Sequence, residues 1–265
     1  LQQFLGEDEF RDGISYYLNK HKYKNTETND LWDAIEHVTQ QPARRIMDSW
    51  IFQRGYPLVS ASISEDGSTI TLEQDRFLYT ESAMADTTIW SVPVVLKVGS
   101  GAGVSEIRYL LEEKSSEVKL DSPADWAALN AGGSGFFRSR YSSEMLTALS
   151  GSMFENLTPI ERYGLVDDTW SSVMAGRTSA SDFLVFARSF QEETDLDVWT
   201  ALSGCLAGLE KLVEGEAKEQ YRAAVRGLAQ PALDRLGGGS FRSALASICL
   251  VRSRVTPKSR PISSR

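Results

Sequence analysis

Two histidines, several neighbouring carboxylates, a glycine cluster and a serine set between glycines are the residues of this chain whose types could do chemistry. His37 follows Glu36, but Gln41 stands four residues further on, where the zinc motif H-E-x-x-H requires its second ligand. His21 sits in no such motif, and the reading for both is structural: an imidazole near a helix C-terminus interacts favourably with free carbonyls. In VVLKVGSGAGVSEIRYLLEE, from Val94 to Glu113, Gly99 and Gly101 are followed by Val104 where a dinucleotide fingerprint needs its third glycine. No Gly-Lys-Ser/Thr follows either, so a P-loop fails and GSGAGVS is expected to be a flexible hairpin loop. GGSGF around Ser134 departs from the hydrolase elbow G-x-S-x-G because Phe136 holds the place of the last glycine. Asp167 with Asp168, Glu192 with Glu193 and Glu112 with Glu113 are adjacent rather than facing, which makes them caps and surface charge rather than acid and base. Cys205 and Cys249 form neither a C-x-x-C pair nor a ligand cluster. No catalytic, cofactor-binding or metal-ligating residue emerges.

Three kinds of element would position these residues. Phe4, Leu5, Phe10, Ile14, Tyr17 and Leu18 recur at helical spacing, predicting one helix that ends near His21. Thr28 or Asn29 is expected to cap a second helix carrying Leu31, Trp32, Ile35 and Val38, and a third carries Ile46, Met47, Trp50 and Ile51. At GYPLV the period changes to two. Five or so strands between about 56 and 120 predict a small antiparallel sandwich, with Trp90, Val92, Val94 and Leu96 pointing one way and Ile107, Tyr109 and Leu111 matching them. From about residue 142 the helical period returns in SSEMLTALSG, SASDFLVFARSFQ, LDVWTALSGCLAGLEKLV and AKEQYRAAVRGLAQPALDRLG, which suggest paired helices stacked into a concave array. The six tryptophans fall on apolar faces and are read as core.

Composition narrows the function classes. Among 265 residues, 36 acids against 28 bases give a net charge of −8, which argues against a nucleic-acid surface. No apolar run reaches the ~20 residues a membrane span needs, no secretion signal is visible, and two cysteines fit a reducing, cytoplasmic setting. The absence of an initiator Met and an opening inside an amphipathic helix make Leu1 look like a cut. From Gly238 to Arg265 six basic residues and no acid occur, so 238–265 is expected to be a disordered or non-native tail.

FLGEDEFRDGISYYLNKHKYKNTETNDLWDAI resembles the segment that closes the catalytic domain of the aminopeptidase N family of zinc metallopeptidases, the gluzincins. Trp50, Gln53, Gly55, Tyr56 and Pro57 are similar to that family's crossing into its β-sandwich; Gln74, Arg76, Phe77, Trp90 and Pro93 follow as its next landmarks. GGSGFFRSRY is similar to G-Y-Y-R-x-x-Y at the entry to the helical C-terminal domain, and LTPIERYGLVDD, MAGRTSASDFL and EETDLDVW continue in order. The wording is closest to actinobacterial members, and the resemblance spans roughly residues 1 to 236.

The resemblance implies a multidomain α+β chain: a catalytic-domain tail over 1–54, a β-sandwich over 55–121, an incomplete helical domain over 122–237, and the basic tail. It also implies a parent enzyme that uses zinc to remove N-terminal residues from peptides. Its H-E-x-x-H, its G-x-M-E-N segment and its catalytic tyrosine match nothing here, so no zinc is assigned to this chain and Tyr16 and Tyr17 are not promoted. The implied role is to enclose the active-site chamber of an upstream catalytic domain, with Phe136, Phe137, Arg138 and Tyr141 at the junction of sandwich and bowl and Arg138 fixing it structurally. A free-standing, non-enzymatic scaffold that binds peptides or proteins is the alternative. Without the rest of a parent domain, residues 1–54 are expected to expose an apolar face.

Overall fold

The computed structural model describes residues 1–80 and 86–236. The basic stretch 238–265 lies outside the described residues, and so does Cys249. By contacts the chain divides into two compact units, Leu1–Phe186 and Ala187 onward.

The first unit opens with helices. The single first helix expected from its apolar stripe is two, α1 (Gln2–Leu5) and α2 (Glu7–Lys20), because Gly6 at φ 106° takes a conformation that side-chain-bearing residues avoid. Helix α3 (Thr28–Thr39) is capped by Glu27, one or two residues before the expected Thr28 or Asn29. The Glu27 side chain accepts the Asp30 N–H while Asp30 accepts the Glu27 N–H at 2.8 Å, a reciprocal box that closes two free donors. Leu5, Ile35 and Ala43 form a small core with Phe4, Phe10, Ile14, Leu31 and Trp32 packed around it. Leu18, Ile51 and Phe52 stay exposed, Phe52 at 78%. Helix α4 (Ala43–Ile51) is fastened to the sandwich by polar contacts: Trp50 Nε1 donates to the Ser91 carbonyl at 3.0 Å, and Ser49 Oγ accepts the Ser91 N–H at 3.0 Å.

Two sheets follow. β1 (Pro57–Ile63), β2 (Thr69–Arg76), β5 (Ser115–Lys119) and β7 (Arg138–Tyr141) form one in the order β5-β2-β1-β7; β3 (Val92–Ser100), β4 (Gly103–Leu111) and β6 (Ala124–Ala128) form the other in the order β4-β3-β6. The first sheet is mixed rather than antiparallel, since β1 and β7 run parallel with Leu58 opposite Arg138. The sheets also continue past residue 121, taking in β6 and β7. Their facing sides share one core of Val59, Ala61, Ile70 and Leu72 against Trp90, Val92, Val94, Leu96 and Leu111. β3 is buried along nearly its whole length because it is central in its sheet and covered outside by α1 and, through Lys97, by a later helix. GSGAGVS forms the expected hairpin, with a two-residue turn: Ser100 pairs with Gly103 across only Gly101 and Ala102. Gly99 lies under the Trp126 indole so closely that any side chain there would overlap the ring.

Gln74, fully buried on β2, ties the two sheets together. Its Nε2 donates to the carbonyls of Trp90 at 2.9 Å and Glu113 at 3.1 Å, and its Oε1 accepts the Trp90 N–H at 2.9 Å.

Helices α5 (Ser143–Asn156), α6 (Pro159–Met174) and α7 (Ala180–Arg188) come next. Ser142 caps α5 through the Met145 N–H, and Thr158 and Glu161 cap α6 reciprocally with Pro159 in its first turn. In the second unit, α8 (Leu196–Glu210) and α9 (Glu216–Leu236) pack together with Trp199 fully buried, its Nε1 donating to the Glu193 carbonyl at 2.9 Å. Tyr221 on α9 donates to the Leu206 carbonyl at 2.5 Å. The chain is thus mixed α+β with a helical C-terminal region. Among the described residues no helix is long and apolar enough to cross a membrane.

Candidate functional site

The junction residues expected from the sequence fall on and just before β7, and α6 lies against them. Phe137 is buried in the sandwich core, whereas Phe136 is 73% exposed, its ring 5.5 Å from Tyr56 and 6.2 Å from Trp50. Asn130 shapes the turn that delivers both: its Oδ1 accepts the Gly135 N–H at 2.6 Å and its Nδ2 donates to the Gly135 carbonyl at 3.2 Å. Tyr141, at the other end of β7, accepts the Leu129 N–H on its hydroxyl at 2.9 Å.

Arg138 reaches α6. Its Nη1 donates to Asp167 and, at 3.1 Å, to Asp168 Oδ1, while the second Asp168 oxygen accepts the Ser139 N–H at 2.8 Å. The expectation that Asp167 and Asp168 are surface charge is therefore corrected, because adjacency on a helix does not prevent two carboxylates from sharing a cation on a neighbouring strand. Glu193 is also fully buried, its Oε1 accepting the N–H groups of Thr194 and Asp195 at 2.8 Å each.

Two turns before Asp168, Glu161 makes a second tie. Lys97 Nζ on β3 donates to both of its oxygens at 2.8 and 2.9 Å, the Gly132 N–H donates to Oε1 at 2.9 Å, and the Thr158 N–H donates to Oε2 at 2.7 Å. Sequence reading did not single out Lys97 or Glu161. The available signal was T-P-x-E at 158–161, a capping box at a helix start.

The electrostatics of the two ties differ. Burial alone would raise Glu161, but Lys97, Gly132 and Thr158 together hold it below the usual glutamate value. Burial pushes Asp168 up to about 6, against the pull of the Ser139 N–H and of Arg138. Burial would lower Arg138, but its two carboxylate partners raise it. Burial also raises the Tyr141 hydroxyl. These carboxylates already accept from cations and N–H groups, so what the arrangement does is fix one helix upon two strands.

Two cavities flank Phe136. One of about 370 Å³ is lined by Tyr56, Phe136, Arg138, Tyr163 and Asp167; the other, about 250 Å³, by Phe4, Met47, Trp50, Val95 and Phe136. His21 and His37 line neither. Their rings lie against Tyr17 and Tyr16 at 5.3 and 4.7 Å. Ser134 bonds to Gln3 and has no histidine beside it. Among the described residues no group of three His, Cys, Asp or Glu is placed to hold a metal, so the donors present do not fit a zinc ion.

Comparison with known proteins supplies two family matches in chain order. Residues 1–50 match the peptidase family M1 domain, and residues 126–249 match the ERAP1-like C-terminal domain. The second match runs past residue 236, where the sequence resemblance was expected to end. Over 80% of the chain, 34% of residues are identical to a puromycin-sensitive aminopeptidase of Caenorhabditis elegans, of which 23% is covered. Aminopeptidase M1 of Arabidopsis thaliana is 32% identical over 89% of the chain and 28% of its own length. A tricorn protease-interacting factor F2 of Thermoplasma acidophilum is 32% identical over 79% of the chain and 25% of its own length. The chain thus spans about a quarter of the length of the curated relatives it matches.

Proposed function

The chain belongs to the M1 aminopeptidase family, as a C-terminal portion of it, and from that premise we propose that it is the non-catalytic part of a zinc-dependent aminopeptidase. In this reading the parent removes N-terminal residues from peptides, and polypeptide other than the described residues supplies its metal and catalytic groups. Residues 143–236 help wall the chamber in which peptides are held, which excludes water and limits the length of peptide admitted. Phe137, Arg138 and Tyr141 hold α6 on the sandwich, and Phe136 stands at the surface between the two cavities.

The observation that carries the reading is the order of the two matches, a piece of the M1 domain at 1–50 and the ERAP1-like domain from 126, with the sandwich between them. The test compares the chain alone with a polypeptide in which an M1 catalytic region precedes residue 1. An aminoacyl chromogenic substrate and added zinc should give turnover only with the joined polypeptide. Zinc-dependent hydrolysis by the chain alone would overturn the assignment. Enclosure is tested separately with peptides of increasing length: the joined enzyme should discriminate by length, and removing residues 143–265 should abolish that discrimination.

A further inference from the structure

The joint between α6 and the sandwich holds an unequal number of charges. Lys97 and Arg138 face Glu161, Asp167 and Asp168, so three carboxylates share two cations. Lys97 is committed to Glu161. Arg138 divides one guanidinium between Asp167, whose side chain is 43% exposed, and Asp168, whose side chain is 12% exposed. Water screens the first of these and hardly reaches the second. The excess negative charge therefore rests on Asp168, where solvation is poorest.

Arg162, a further buried cation of α6, donates to the Leu157 carbonyl at 2.6 Å. From β7, Ser139 contributes an N–H and Tyr141 a phenol that stays neutral, while Arg140 is exposed. β1, beside β7, has no charged residue, and neither does the turn Ala131–Gly133 against α6. A small enclosed space bounded by Ser139, Tyr141, Glu161, Leu165 and Asp168 lies between the two ties. We infer that this joint is a pH-graded clasp whose two ends respond in opposite senses, the Asp168 end tightening on acidification and the Glu161 end loosening.

The signs follow from linkage. When the joint opens, Asp168 meets water and returns to an ordinary aspartate value of 3.8, while in the closed joint it titrates at about 6. The closed form binds more protons between those values, so it gains relative to the open form as pH falls through 6 and loses that gain as pH rises. Glu161 is held low when closed, so its tie is complete at neutral pH and fails only as pH falls below the ordinary glutamate range. The inference does not rest on the peptidase reading. It concerns how firmly a helix is seated, whatever the chain encloses.

Amide hydrogen exchange on the full chain, corrected for the intrinsic pH dependence of exchange, reads each end separately. The Ser139 amide reports the Asp168 tie; the Gly132 and Thr158 amides report the Glu161 tie. Ser139 protection should be about tenfold greater at pH 5 than at pH 7.5, and in Asp168→Asn it should be the same at both. Gly132 and Thr158 should show no such gain. Equal Ser139 protection at the two pH values in the unaltered chain, or a gain that survives in Asp168→Asn, overturns the inference. Should Asp168→Asn fail to fold, the Asp168 carboxyl is followed by NMR in the unaltered chain. A midpoint above the ordinary aspartate value upholds the inference, and one at or below it overturns it.

Discussion

Arg138 carries one positive charge between two carboxylates, and that ratio decides what its removal does. Arg138→Met leaves Asp168 buried without a cation, and breaking one side of such a pair costs about 3–5 kcal/mol. Chemical denaturation of the variant should show a loss of that order, and Arg138→Met with Asp168→Asn together should recover part of it. An unchanged midpoint would mean that the guanidinium does not hold the joint. Gln74 makes a sharper case, because it is uncharged. Gln74→Leu strands the Trp90 N–H and two carbonyls between the sheets, and a loss on the order of 3 kcal/mol is expected in the same measurement. By contrast Phe136, largely in water, should tolerate Phe136→Ser within about 0.5 kcal/mol.

At the scale of elements, α6 depends on Glu161 twice, as part of its cap and as its tie to β3. Thr158→Ala removes one capping acceptor and should cost about 1 kcal/mol, while Glu161→Gln also leaves Lys97 without its carboxylate and should cost about 3 kcal/mol. Because Glu161 titrates below its ordinary value, the stability it adds is present at neutral pH and lost in acid. The gap between the unaltered chain and Glu161→Gln, measured by urea unfolding, should narrow toward pH 3. This helix is also where sequence periodicity falls short. α2, α3 and α4 follow apolar residues at a period of 3.6 and β2 at a period of two, because each buries one side and wets the other. α6 buries Leu165 and Val166 among Glu161, Arg162, Asp168, Thr169, Ser171 and Ser172, so the apolar residues of its inner face are too few to read as a stripe. β7, with Arg-Ser-Arg-Tyr, has no apolar alternation either, and only the family-like GFFRSRY marks its place. The chemistry of the joint was hidden for the same reason: partners thirty or sixty residues apart have no signature in local spacing.

On the scale of the molecule, the first unit presents Phe52, Tyr79, Phe136 and Ile160 to solvent, each more than half exposed. Apolar surface of this kind promotes self-association. Light scattering of the chain alone should fall when Phe52 and Phe136 are both replaced by Ser, with the thermal midpoint unchanged. Scattering that does not respond would place the association elsewhere. The parallel pairing of β1 with β7 has a different consequence, one that plays out in time. Leu58 waits for Arg138, eighty positions later, before its strand is flanked on both sides, whereas β1 and β2 can meet as soon as their short turn has formed. During synthesis the nascent polypeptide therefore passes through an interval in which β1 offers an unsatisfied edge to whatever strand is nearest. A chaperone would find its opportunity in that interval, and a ribosome stalled before residue 138 would prolong it.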